Sequence, residues 1–105
     1  MLYSITSVEV VPGKMQEAVD WCKRFYAYVN KTFGRQTQWM RPATPGPGQA
    51  YRIIAISPYD SMAEFAAHSE KAAKDAQRNA LYREAFEEKQ YFVPNTFTRT
   101  LYNAG

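Results

Sequence analysis

"AYRIIAISPYDSMAEFAAHSEKA", residues 50–72, sets a strand against a helix with a marked start. Ala50–Ser57 is rich in β-branched residues and reads as a strand. Ser61 followed by Glu64 is an S-x-x-E capping box, in which each side chain satisfies a free amide at the helix start. Asp60 is a competing cap that hardly moves the boundary. The spacing predicts a helix to about Ala76 and a second helical stretch from roughly Arg78 to Lys89, with Leu81, Tyr82, Ala85 and Phe86 on its apolar side. "VPNTFTRTLY", residues 93–102, then reads as a closing strand, with Phe97, Arg99 and Leu101 on one face and Thr96, Thr98, Thr100 and Tyr102 on the other.

Upstream, "LYSITSVEVV" (residues 2–11) reads as a strand that Pro12-Gly13 breaks. An amphipathic helix is expected from about Lys14 to Phe33. Met15, Ala18, Cys22, Phe25 and Val29 form its apolar stripe, and Val19, Tyr26 and Phe33 widen it. Gly34 is a natural stop. Trp21 falls beside the stripe, which favours a contact surface, and Tyr28 is expected to face solvent or a neighbouring subunit. "RQTQWMR" (35–41) reads as another strand, and "PATPGPGQ" (42–49) as a projecting loop between antiparallel strands.

The order β-α-β-β-α-β is that of a ferredoxin-like α+β domain with a four-stranded antiparallel sheet, spanning residues 1–105 as one domain. Right-handed crossovers put the helices on one face, with the first and third strands inside. The other face is not polar. Ile53 and Ala55 alternate with Ile54 and Ile56, and Trp39 with Met40, so a second copy is expected to cover it, making a homodimer through the sheet face.

A chain of 105 residues, 46% apolar and 15% aromatic, can build one core. It has no stretch of about 20 apolar residues and no secretory leader, so a soluble cytoplasmic protein without a membrane partner is expected. Its net charge of +3 is spread among acidic residues rather than clustered, which argues against nucleic acid and leaves a weak preference for anionic small molecules. The single cysteine, Cys22, falls among apolar residues and reads as a structural thiol. No G-x-S-x-G elbow and no phosphate-binding glycine motif is present. One histidine and one helical cysteine do not make a zinc site, so no metal and no cofactor is expected.

The opening "LYSITSVEVVPGK", together with the turn "YDS" leading into "FAAH" and a terminal strand, resembles the dimeric α+β-barrel proteins. The likeness is strongest to NIPSNAP-like and antibiotic-biosynthesis-monooxygenase-like (ABM-like) domains and covers nearly the whole chain. It implies a homodimer whose sheets meet face to face, with a pocket in each subunit between sheet and helices. Some members are cofactor-independent monooxygenases acting on polyketide-like aromatics, some degrade haem, and many have no known activity. In the haem-degrading relatives a histidine on the second helix binds iron, with help from a strand asparagine. His68 holds a comparable place, whereas the first strand here offers Ser4, Thr6 and Ser7.

His68 and Arg52 are the candidate catalytic residues, as acid or base and as electrostatic stabiliser. On a helical wheel the apolar face of Met62, Phe65, Ala66, Ala72, Ala73 and Ala76 centres near Ser69. His68 then lies on the flank, at a pocket mouth or in solvent, where Glu64 one turn earlier could favour the imidazolium. Arg52, in a central strand, needs a carboxylate such as Glu9, backbone carbonyls or an anionic ligand. Candidate ligand-binding residues are Ser4, Thr6, Trp39, Arg41 and Tyr102, with Tyr3, Trp39, Tyr51 and Tyr102 as the wall of a pocket for a hydrophobic or aromatic small molecule. Two functions fit: a small cofactor-independent monooxygenase-like enzyme, or a non-catalytic binding or assembly protein that engages a partner through the Pro/Gly loop.

Overall fold

The computed structural model describes residues 1–43 and 51–105. The Pro/Gly loop at 42–49 therefore falls almost wholly outside the described residues. The elements are β1 (Leu2–Glu9), α1 (Met15–Phe33), β2 (Gln38–Met40), β3 (Arg52–Tyr59), α2 (Met62–Ala73), α3 (Ala76–Arg83) and β4 (Thr98–Asn103), with one π-helical turn, Glu84–Glu88, continuing α3. The sheet is antiparallel in the order β2-β3-β1-β4, with the first and third strands inside, as expected for this α+β, ferredoxin-like fold.

Local chemistry sets most boundaries. Gly13, at φ +86°, makes the turn after β1, and Gly34, at φ +65°, ends α1 by donating its amide to the Asn30 carbonyl. The Asn30 side chain then exchanges two 3.0 Å hydrogen bonds with the Thr37 backbone, which fixes where β2 leaves the helix. The Ser61 hydroxyl accepts from the Glu64 amide at 3.1 Å, and the Glu64 carboxylate accepts from the amide of Asp60, one residue before the cap.

Where the expected helix runs on to Ala76, the chain breaks at Lys74–Asp75 instead. The Asp75 carboxylate accepts from the Arg78 amide and from the Tyr28 hydroxyl, both at 2.8 Å, and so starts α3. Tyr28 is thus a tie between helices rather than a free surface residue. β4 starts five residues later than expected. Pro94 has no amide to give a ladder and Asn95 sits at φ +65°, so the Thr96 hydroxyl substitutes by accepting from the Glu9 amide at 3.1 Å.

Register separates the two faces. Toward the helices point the pairs Val8–Ile53, Thr6–Ala55, Ser4–Ser57 and Leu2–Tyr59, with Arg99 and Leu101 of β4 beside Thr6 and Ser4. The core lies between this face and the helices, centred on Trp21. The indole is 3% exposed, stacks on Phe25 at 4.6 Å and donates to the Leu81 carbonyl at 2.8 Å. A contact-surface role for Trp21 is therefore overturned, because α3 and the π turn cover the flank of α1 on which it lies.

The helix-free face carries Tyr3, Ile5, Ile54, Ile56, Met40 and Tyr102. Ile54 is 38% exposed, Met40 49% and Tyr102 53%.

Candidate functional site

The sheet supplies the floor of a pocket of about 70 Å³. Ser4 and Ser57 face each other there across β1 and β3, and Thr6 lies beside Arg99 across β1 and β4. Both serines are buried. Alternation puts these short polar side chains on the same face as Val8 and Ile53, so a polar patch opens inside an otherwise apolar layer. Thr37, held by the Asn30 clamp, donates its hydroxyl proton to Ser57 at 2.9 Å.

The helices supply the roof. Phe25, Tyr26 and Val29 come from α1, His68 and Ala72 from α2, Arg78 and Tyr82 from α3. A narrower space of about 20 Å³ continues past Tyr26 and Tyr82 toward Trp21. Burial is the main cause that pushes the Tyr26 phenol above its ordinary pKa, and burial likewise pushes the Cys22 thiol up to about 12. Cys22 is therefore a neutral core thiol.

His68 lies on the inward side of α2, edge-on to Phe33 at 5.3 Å and tilted against Tyr59 at 5.6 Å. The inward face of α2 is Phe65, His68 and Ala72, while Met62, Ala66 and Ala73 are exposed, so His68 is not on the flank. Its partner Glu64 is engaged elsewhere: the carboxylate is ion-paired to Arg35, whose guanidinium stacks 4.5 Å over the Tyr59 ring. Burial first, and then the charges of Arg35, Arg78 and Arg99, lower the His68 pKa below its ordinary 6.5, opposed by Glu64. The imidazole is thus neutral at pH 7, contrary to the expectation that Glu64 would favour the imidazolium.

Arg52 is on the opposite side of the sheet. Its Nε donates to the Ser7 hydroxyl at 2.7 Å and an Nη to the Thr96 carbonyl at 2.6 Å, with Glu9 at 3.9 Å. The sheet thus separates the two candidate catalytic residues. Ser4 and Thr6 line the pocket. Trp39 faces the helices and packs on the core from β2 outside the lining, Arg41 is exposed beyond β2, and Tyr102 is exposed on the helix-free face. Arg99, a strand arginine of the same kind as Arg52 and Arg41, lines the pocket, as do Ser57, Tyr26, Tyr82 and Arg78, which the sequence did not single out as ligand residues.

The profile of the NIPSNAP family matches residues 3–98. The chain belongs to the NIPSNAP family. This NIPSNAP protein is similar to a NIPSNAP domain protein from Burkholderia xenovorans, at 15% identity over 100% of this chain and 95% of that one, with a TM-score of 0.75. It is also similar to a dimeric ferredoxin-like protein from an uncultured marine organism (15% identity, 96% and 92% covered, TM-score 0.69). A candidate antibiotic biosynthesis monooxygenase from Nitrosomonas europaea matches at 13% identity, over 99% and 98% of the chains, with a TM-score of 0.64. At such identities these structures establish the shared fold. No curated protein matches the sequence.

Among the described residues of this NIPSNAP chain, no three His, Cys, Asp or Glu side chains are grouped to hold a metal ion, and no helix is long and apolar enough to cross a membrane. The pocket of about 70 Å³ is too small to hold a haem by itself, and the second space that His68 lines, about 250 Å³, has the charged side chains of Arg35, Glu64 and Lys71 where a haem would need an apolar wall.

The charges around His68 are Arg35, Arg78, Arg99 and Lys71 against Glu64. NMR titration of this one imidazole is expected to give a midpoint below 6.5, and Arg99→Gln is expected to move it up. A depressed folded-state pKa means that the unfolded chain binds the proton first. The His68 contribution to stability is therefore complete above 6.5 and declines as pH falls toward the lowered midpoint. A midpoint at or above 6.5 would show that Glu64 outweighs burial and the guanidiniums.

Proposed function

We propose that this protein works as a homodimer, joined through the helix-free faces of its sheets, in which each subunit binds a small molecule in the pocket under His68. Supporting this reading is the presence of two buried serine side chains, Ser4 and Ser57, facing an inward, neutral imidazole across a space that side chains do not fill. Ser57 is already partnered by Thr37, while Ser4 and Thr6 bring further hydroxyls to the gap, which suits it to a polar ligand. The cytoplasm is the proposed setting, where the lone Cys22 stays reduced.

In an enzymatic role, the His68 imidazole accepts a proton from the bound molecule while the surrounding hydroxyls orient it and the aromatic wall excludes water. This is the form in which a monooxygenase-like reaction without a cofactor fits the pocket. Binding without turnover is the alternative, and the position of Arg52 favours it: with Arg52 committed to Ser7 and Thr96 across the sheet, His68 stands without its expected electrostatic partner.

The pocket is tested by ligand-observed NMR with a panel of small organic molecules on the wild type and on Ala72→Leu, whose added carbons occupy the gap. Binders to the wild type are expected to drop out with the variant. A panel that binds both proteins equally, or neither, would overturn the assignment.

A further inference from the structure

We infer that the ligand of this pocket is a short organic acid whose carboxylate is held by Arg78 and Arg99. The inference rests on the proposal that the pocket is a ligand site, and it adds the chemical class.

Charge is the first reason. Two different elements, α3 and β4, bring Arg78 and Arg99 to one pocket beside the neutral His68, and no aspartate or glutamate lines it. Of the five other arginines, three are matched, Arg24 with Glu84, Arg35 with Glu64 and Arg52 with Glu9, while Arg41 and Arg83 are exposed at the surface. Among the described residues neither Arg78 nor Arg99 pairs with a carboxylate, although the chain carries ten acidic residues. A guanidinium has five N–H donors. Arg78 spends one on the Asn79 side chain at 3.1 Å and lies 4.1 Å over the Tyr82 ring, while Arg99 lies 5.7 Å from the rings of Phe65 and Phe97. Cation–aromatic contacts leave most of these donors for an oxyanion, which charge-assisted hydrogen bonds hold about twice as strongly as neutral ones.

Size is the second. With about 10–15 Å³ of such space per water-sized group, the 70 Å³ pocket takes roughly five non-hydrogen atoms, a carboxylate with a few carbons. Phe25, Val29 and Ala72 give the carbons an apolar wall. Arg99 is exposed, so the charged end meets solvent there and an acid of greater length can leave its remainder outside.

Calorimetric titration of the wild-type protein with straight-chain acids from acetate to hexanoate, each beside its neutral amide, and with inorganic phosphate, tests the assignment. The preferred acid is expected to bind at least about tenfold more tightly than its amide. Arg99→Gln and Arg78→Gln are each expected to weaken it by a similar factor, with Arg99→Lys recovering part. Equal affinity for acid and amide would overturn the inference and leave the pocket proposal standing. Phosphate binding more tightly than every acid would overturn the organic-acid class. Binding of none of these would remove the inference together with the pocket as a site for small ligands. The acid-to-amide comparison needs no variant, so it decides the matter even where an arginine substitution unfolds the chain.

Discussion

Ile54→Asp is expected to leave the subunit folded and to convert the proposed dimer to a monomer, read by sedimentation velocity at micromolar concentration. Ile54 sits on the helix-free face of β3, flanked by Met40 of β2 and Ser7 of β1, with Ile56 two residues on and opposite Ile5. In a lone subunit this position is 38% exposed, so an aspartate there stays hydrated and costs the fold little. In a face-to-face pair it is buried, and the two-fold symmetry brings one carboxylate from each copy to the same interface. An uncompensated charge at a desolvated contact costs about 3–5 kcal/mol, which corresponds to a loss of dimer affinity of about a hundredfold to several thousandfold. Ile54→Val keeps the apolar contact and is expected to remain dimeric. An Ile54→Asp protein that sediments like the wild type would place the dimer contact elsewhere or remove it.

The same strand shows how far the residues alone could be read. Strict alternation puts Arg52, Ile54 and Ile56 on one face of β3 and Ile53, Ala55 and Ser57 on the other. Both sets are largely apolar, which signalled a sheet covered twice but not which set meets the helices. That is why Arg52 could be paired with His68 in expectation while the fold puts the sheet between them. The helix boundaries set by Gly34 and Ser61 were legible because each has a local cause. The break at Lys74–Asp75 has a local cause too, the Asp75 cap on the Arg78 amide, but an apolar pattern running on to Ala76 masked it, and the Tyr28 tie from α1 left no local sign. His68 was misplaced for a different reason. Alanine tolerates water and core alike, so counting Ala66 and Ala73 with Phe65 rotated the estimated apolar face away from its true line through Phe65, His68 and Ala72. The pairing of Arg78 with Arg99 carried no local signal, because it comes from α3 and β4 meeting at one pocket, where neither forms an ion pair among the described residues.

Trp21→Ala is expected to be the most damaging single change to the fold. The side chain is 3% exposed, stacked on Phe25 and edge-on to Phe92 at 5.4 Å, so truncation leaves a large cavity at the centre of the core. Such truncations cost about 3–5 kcal/mol. The indole also donates to the Leu81 carbonyl, which keeps the Glu84 amide as a second donor, so losing that bond adds about 0.5–1.5 kcal/mol. Against a total stability of about 5–15 kcal/mol for a domain of this size, the variant is expected to be largely unfolded or to lose most of its urea resistance. Trp21→Phe separates the two contributions: it keeps most of the aromatic volume and forfeits the hydrogen bond, so its loss should be well under half that of alanine. Urea unfolding followed by circular dichroism, at one protein concentration so that dimerisation does not confuse the comparison, gives both values. A Trp21→Ala protein within about 1 kcal/mol of the wild type would contradict the core described here. Because Leu81 anchors α3, the helix that carries Arg78 and Tyr82, Trp21→Phe is also expected to loosen the pocket roof and weaken binding there, although Trp21 does not line the pocket.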